Sequence, residues 1–163
     1  MAEIQNLEFR NMLPGQGAEV CVLVWDVLSS SSSVNGISPQ GQAAFKRYIS
    51  PEAMEQRVQM GYIHELVYVS GVLAGVIETR GADRISMLYI HPGYVNKGLG
   101  SRLIARAASR CSKIAPQMKQ LTVYATDDTV DFYERVGFVR SGVRKESGGI
   151  FSTPYKLLLK TND

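Results

Sequence analysis

The chain has 163 residues, 45% of them hydrophobic, which is the size and apolar content of one globular domain that needs no disulfide or metal to hold a core. Cys21 and Cys111 lie far apart outside any CxxC, and His64 and His91 lack metal-ligand spacing, so two reduced core thiols and no metal site are expected. The net charge is +3, but its placement is uneven: Arg84 to Thr126 holds seven basic and no acidic residues, while the rest holds eleven basic and fifteen acidic. That segment is either a solvated helix face or an attractor of a polyanion.

The N-terminus lacks a basic stretch followed by an apolar run, and no apolar run approaches spanning length. A cytoplasmic protein with no membrane contact is expected.

Leu7 to Met12 alternates and predicts a first strand, ended by Pro14-Gly15. Ala18 to Leu28 predicts a helix, with Val20, Leu23, Val24 and Val27 at helical spacing. Ser29 to Ser33 reads as a loop. Pro39 to Tyr48 predicts a short helix. Ser50-Pro51 reads as an N-cap followed by proline at the first helical position, opening a helix to about Met60. Strands follow at His64 to Val69, Val72 to Arg80 and Arg84 to His91. The last is apolar enough to predict a central strand buried on both faces. Gly98 to Ile114 predicts a helix and Gln120 to Ala125 a strand. Thr129 to Val136 predicts a short helix capped by Asp127 or Asp128 and closed by Gly137. Phe138 to Val143 and Pro154 to Lys160 complete one mixed sheet with helices on both faces, in a single domain spanning 1–163.

The turn Val95-Asn96-Lys97-Gly98-Leu99-Gly100 carries the chemistry. Gly93 and Gly98 have the P-loop spacing, but Leu99 stands where its lysine belongs. Gly98 and Gly100 begin a dinucleotide fingerprint, but Leu103 replaces its third glycine. What remains is a helix N-terminus whose free N–H groups and dipole can cradle an anion, with glycines that admit it closely. Behind it, Leu99, Leu103, Ile104, Ala107, Ala108 and Cys111 can face the sheet. Arg102, Arg106, Arg110 and Lys113 form a basic stripe on another face.

Ile85 to Leu103, read as ISMLYIHPGYVNKGLGSRL, resembles the acetyl-coenzyme A signature of the GNAT N-acetyltransferase superfamily. Ala125 to Phe138, ATDDTVDFYERVGF, resembles the superfamily's C-terminal helix with its tyrosine. The segments 37–45, 49–52 and 76–80 resemble one small bacterial subgroup. The resemblance implies the GNAT fold: a mixed, mostly antiparallel sheet of six to seven strands, splayed at its centre, with helices on both faces. It also implies acetyl-CoA as acyl donor, with no metal. The pantetheine arm would pair with Leu88, Tyr89 and Ile90. The pyrophosphate would lie on Val95, Asn96, Lys97, Gly98, Leu99, Gly100 and Ser101. Two positions depart from the superfamily: Val95 replaces Gln or Arg, which shifts the grip to backbone, and Asp128-Thr129 replaces Asn-Ala at a cofactor contact.

By the same resemblance, a backbone N–H polarises the thioester carbonyl, an amine attacks it directly, and Tyr133 protonates the departing thiolate. From the sequence alone, Tyr133 reads as a buried aromatic at helical spacing with Val130 and Val136; the resemblance is what makes it the acid. An ammonium acceptor must first lose a proton. Glu78, in an otherwise apolar strand, is the candidate base; its other reading is an outward-facing strand residue. Asp83 and Glu65 are weaker candidates. The expected partner is a small-molecule or peptide amine, not nucleic acid. A homodimer is compatible with the resemblance. The rival functional reading is a non-catalytic acyl-CoA-binding sensor.

Overall fold

The computed structural model describes residues 4, 6–31 and 36–160. In chain order it contains β1 (Leu7–Asn11), α1 (Gly17–Ser29), α2 (Pro39–Tyr48), α3 (Pro51–Gln59), β2 (Ile63–Val69), β3 (Val72–Arg80), β4 (Arg84–Ile90), α4 (Leu99–Ile114), β5 (Gln120–Thr126), α5 (Val130–Val136), β6 (Val139–Arg140), β7 (Lys145–Ser147) and β8 (Ile150–Leu158). The sheet has eight strands in the order β1-β2-β3-β4-β5-β8-β6, with β7 paired to β8. Every pairing is antiparallel except β4 with β5. The strand beyond the expected seven is β7, which forms a short hairpin with β8 through Gly148 and Gly149.

Two Ser-Pro pairs start two helices. Ser38 Oγ accepts from Gly41 N at 3.1 Å and Ser50 Oγ accepts from Ala53 N at 3.2 Å, and the prolines at the first helical position leave no donor unsatisfied. Gly137 ends α5 at φ 112°, in the left-handed region that glycine enters without a Cβ penalty. The cap position of this helix falls on neither Asp127 nor Asp128. Its N-cap is Thr129, without a side-chain cap bond, and Asp127 instead holds Arg144 at 2.6 and 3.0 Å. Ser32 to Asn35 of the expected serine loop fall outside the described residues.

Each face of the sheet carries its own core. Alternation along β2 sends Ile63, Val67 and Val69 to the α4 and α5 side, and Leu66 and Tyr68 to the α1 to α3 side. The stripe of α4 packs as its spacing predicts: Leu99, Leu103, Ile104, Ala107 and Cys111 are buried. The strands closed on both faces are β2 and β3, whereas Leu88, Tyr89 and Ile90 of β4 are only half-buried. The sequence expectation for β4 is corrected here. It is central but bordered by a gap, because its pairing with β5 stops after Arg84↔Thr122 and Ile85↔Val123.

The gap begins at a bulge. Glu78 faces Met87 and Thr79 faces Ile85, so Ser86 is an extra residue in β4. Ile85 and Met87, two apart, consequently point into opposite cores. A bulge bends its strand and increases its twist, and β4 leaves β5 from this point.

No helix among the described residues is long and apolar enough to cross a membrane. Both cysteines are free and buried. Replacing fully buried Leu103 by alanine removes the middle of the α4 seam. The expected loss is about 2–5 kcal/mol in urea unfolding, against under about 0.5 kcal/mol for Lys113→Ala on the exposed side.

Candidate active site

Three clefts meet along the gap between β4 and β5. The first, of about 300 Å³, is lined by Leu88, Tyr89, Ile90, Val95, Gly100, Asp128 and Tyr133, among others. These seven expected site residues, scattered over 46 positions in sequence, are thus brought to one place. The second, of about 470 Å³, is lined by Val95, Asn96, Gly98, Leu99, Gly100 and Ser101 together with Arg135. The third, of about 390 Å³, runs from Tyr133 and Tyr89 past Ser86 to Arg84 and Arg80. Lys97 lies on the glycine turn but lines none of the three.

The turn is shaped by backbone. Asn96 and Gly98 both take positive φ, 59° and 78°, and Gly98 is the N-cap of α4 with no side-chain bond. The first N–H groups of α4 have no intrahelical carbonyl to donate to, so they and the helix dipole face the second cleft. Nothing lies within 4 Å of where a Cβ on Gly98 would stand. Gly100 serves packing: a Cβ there would meet Phe132 Cζ at 2.9 Å. Phe132 itself borders both the first and second clefts.

The basic stripe does not serve this cradle. Arg106 and Arg110 hold buried Glu65 at 3.3 and 3.1 Å. Arg102 and Arg106 also lie over the Phe9 ring, at 5.1 and 4.8 Å. The stripe therefore docks α4 on β1 and β2. Arg135, in the last turn of α5, lines this cleft. The signal available for it was its position one helical turn beyond Asp131 and beside Val136, on a helix already assigned to the site.

Tyr133 is 6% exposed and sits in an aromatic cluster with Phe132 and Phe138 at 5.1 and 5.2 Å. Burial, reinforced by Tyr89, pushes its phenol well above the ordinary range, so it stays protonated at neutral pH. Burial, with the charges of Asp128 and Glu78, likewise raises Tyr89 to about 12.

Glu78 is neither outward-facing nor open to a cleft. It is fully buried on β3 and its carboxylate takes four side-chain donors. Tyr48 Oη donates to Oε1 at 2.5 Å and Ser86 Oγ to Oε1 at 2.7 Å. Arg57 Nε donates to Oε2 at 2.8 Å, and His64 Nε2 lies 2.5 Å from the same oxygen. Burial alone would raise its pKa, but bonds from His64, Tyr48 and Ser86 outweigh it and hold the carboxyl down at about 2. A carboxylate so held has little affinity for a proton and no path for direct contact with an amine. Tyr48 and Ser86, its partners, do line the third cleft. Of the weaker candidates, Glu65 is bound by the two arginines, and Asp83 lies in the β3–β4 turn, its main-chain oxygen accepting from Thr122 N. No group of three His, Cys, Asp or Glu among the described residues could hold a metal ion.

Comparison with known proteins agrees with this architecture. Residues 33–159 match the family model described as an acetyltransferase (GNAT) domain. The chain belongs to the GNAT acetyltransferase family. Among solved structures it is similar to a GCN5-related N-acetyltransferase from Rhodopseudomonas palustris, at 23% identity and TM-score 0.80, over 98% of this chain and 99% of that one. It is similar to PaiA N-acetyltransferase from Thermoplasma acidophilum in complex with coenzyme A, at 16% identity and TM-score 0.75, over 94% and 100%. It also resembles yncA from Salmonella typhimurium with its cofactor acetyl-CoA, at 16% identity and TM-score 0.63, over 94% of each chain. No curated protein matches the sequence.

The Glu78 cluster sets an acid limit. A carboxyl whose folded pKa lies below its unfolded value of about 4.5 contributes stability that is complete above that value and disappears as pH falls toward 2. Urea midpoints measured from pH 6 to 2 should show this loss in the wild type. Glu78→Gln should lack that component and be less stable at pH 7 by about 3–5 kcal/mol, because Arg57 loses its counter-ion.

Proposed function

We propose that this protein transfers an acetyl group from acetyl-CoA to a primary amine by direct attack within a ternary complex. The observation that carries the reading is the parting of β4 from β5 after two paired residues, with Leu88 to Ile90 and Tyr133 on its walls and the α4 N-terminus at one end. A strand edge left without a partner offers N–H and C=O groups to an extended amide-bearing arm such as pantetheine. The cradle suits its pyrophosphate, gripped through backbone as Val95 requires, with Arg135 as a nearby cation.

In this reading the amine nitrogen attacks the thioester carbon. The carbonyl oxygen gains charge and is held by a backbone N–H of β4. The carbon–sulfur bond then breaks, the sulfur takes a hydrogen bond and proton from Tyr133, and the proton that the acylated nitrogen gives up to solvent restores the phenol. The buried phenol, kept protonated, is suited to that donation. Neither cysteine lines a cleft, and burial raises both thiols, which supports attack without a covalent enzyme intermediate. The ammonium loses its proton to water, and Glu78 acts by fixing Tyr48 and Ser86 in the cleft wall.

Thiol release from acetyl-CoA with a panel of amines tests the transfer. Binding of acetyl-CoA with no release for any amine would leave an acyl-CoA-binding sensor instead. Tyr133→Phe should lower kcat by about 10²-fold or more while changing acetyl-CoA affinity by less than about threefold. Wild-type kcat in that variant would remove the role.

A further inference from the structure

The third cleft ends at two arginines that the reaction does not use. Arg80, the last residue of β3, and Arg84, the first of β4, are register partners and therefore face the same side of the sheet. Like charges directly opposite on paired strands repel and destabilise. Neither arginine takes part in any ion pair among the described residues. Asp83, in the turn between them, is not within ion-pair distance of either, and its carboxylate turns toward Gly81. Arg84 lies over the Tyr124 ring at 5.1 Å. Tyr124 is two residues beyond Arg84's register partner Thr122, in the direction of the reaction centre. Both arginines line the cleft that Tyr133 also lines.

This pair is remote from the phosphate cradle. Arg84 and Ile90 are six residues apart along β4, about 20 Å of extended strand, with the glycine turn farther on. The distance from Arg84 to Leu88 is about 13 Å by the same rise, a span that an arginine side chain and one small molecule can close together. The cleft carries no acidic residue, and its walls include Phe45, Tyr48, Tyr62, Tyr89, Tyr124 and Tyr133. Glu78 beneath it is already neutralised. A polycationic acceptor would meet two arginines there and no carboxylate.

We propose that Arg80 and Arg84 bind the carboxylate of the acceptor, which is an amino acid or a close relative with an apolar or aromatic body, presented amine-first to the thioester. The inference rests on the acetyl-transfer reading for the word acceptor, but the anion site can be tested without it. Carboxylate–guanidinium bonds are charge-assisted and among the stronger hydrogen bonds, so they discriminate an acid from its amide.

The test compares phenylalanine, methionine and lysine with their carboxamides, and with spermidine, in thiol release from acetyl-CoA and in calorimetric binding to the coenzyme A-loaded protein. At least one acid should be preferred over its amide by about tenfold or more in kcat/KM. Arg80→Gln and Arg84→Gln should each raise KM for that acid about tenfold, with a much smaller effect on kcat, and should remove the preference. Arg80→Gln should also raise the melting temperature at low salt, because the repulsion is relieved. Amides or spermidine used as well as the acids would overturn the carboxylate site while leaving acetyl transfer intact. Acids that bind, and lose binding in Arg84→Gln, with no thiol released, would uphold the site and remove the transfer reading. Neither release nor acid binding would overturn the proposal.

Discussion

The carboxylate of Glu78 is the point through which the working half of the molecule is tied. It is buried on β3 and receives Tyr48 from the end of α2, Arg57 from α3, His64 from β2 and Ser86 from β4. A buried charge is tolerable only when paired and saturated with donors. The bond to Ser86 has a further effect, because Ser86 is the extra residue of the β4 bulge. Holding that hydroxyl holds the bulge, and the bulge turns β4 away from β5. The slot therefore depends on an ion cluster beneath it rather than on the residues that line it. In a flat sheet β4 and β5 would zip along their length, and the gap would close.

Charge is distributed along the slot by the same logic of pairing. The basic segment looks like a polyanion attractor when counted in sequence, yet its helical arginines are largely occupied. Arg106 and Arg110 neutralise Glu65, and Phe9 lies beneath Arg102 and Arg106. Their work is to fix α4 on the sheet, which aims its N-terminus at the cleft. The cradle then relies on peptide N–H groups and the helix dipole, which need no side chain of their own. At the opposite end of β4 stand Arg80 and Arg84, the two arginines of the cleft without a carboxylate partner. Saturated charges build the frame, and unsaturated ones are left where a ligand can reach them.

The local rules of sequence carried much of this. Ser38-Pro39 and Ser50-Pro51 mark two helix starts, Gly137 marks a helix end, and the apolar face of α4 follows from spacing, because each depends on residues within one turn of each other. What was illegible depends on neighbours distant in sequence. The apolar run of β4 reads as fully buried, but half of its width faces a gap that only the absence of β5 creates. Asp127 reads as a helix cap because it precedes a helix, yet Arg144, seventeen residues on, takes it instead. Of the site, the glycine turn, β4 and Tyr133 were legible as motifs. Arg80, Arg84 and Arg135 were not, since an arginine at a strand or helix end has no distinctive local pattern.

Glu78 shows how a correct local observation can support a different role. An acid in an apolar strand does demand an explanation, and catalysis is the usual one to test. The structure supplies the other: the acid is the counter-ion of Arg57, with its lone pairs filled by Tyr48, Ser86 and the His64 ring. The consequence reaches the chemistry. With that carboxylate committed to the frame, no carboxylate among the described residues lines the third cleft. The α-amine of an amino acid, stabilised as ammonium by its own carboxylate, is mostly charged at neutral pH, as the amines of a polyamine are. On the proposed reading, selection among acceptors therefore falls to the arginine pair, which favours one that carries a carboxylate over a polyamine.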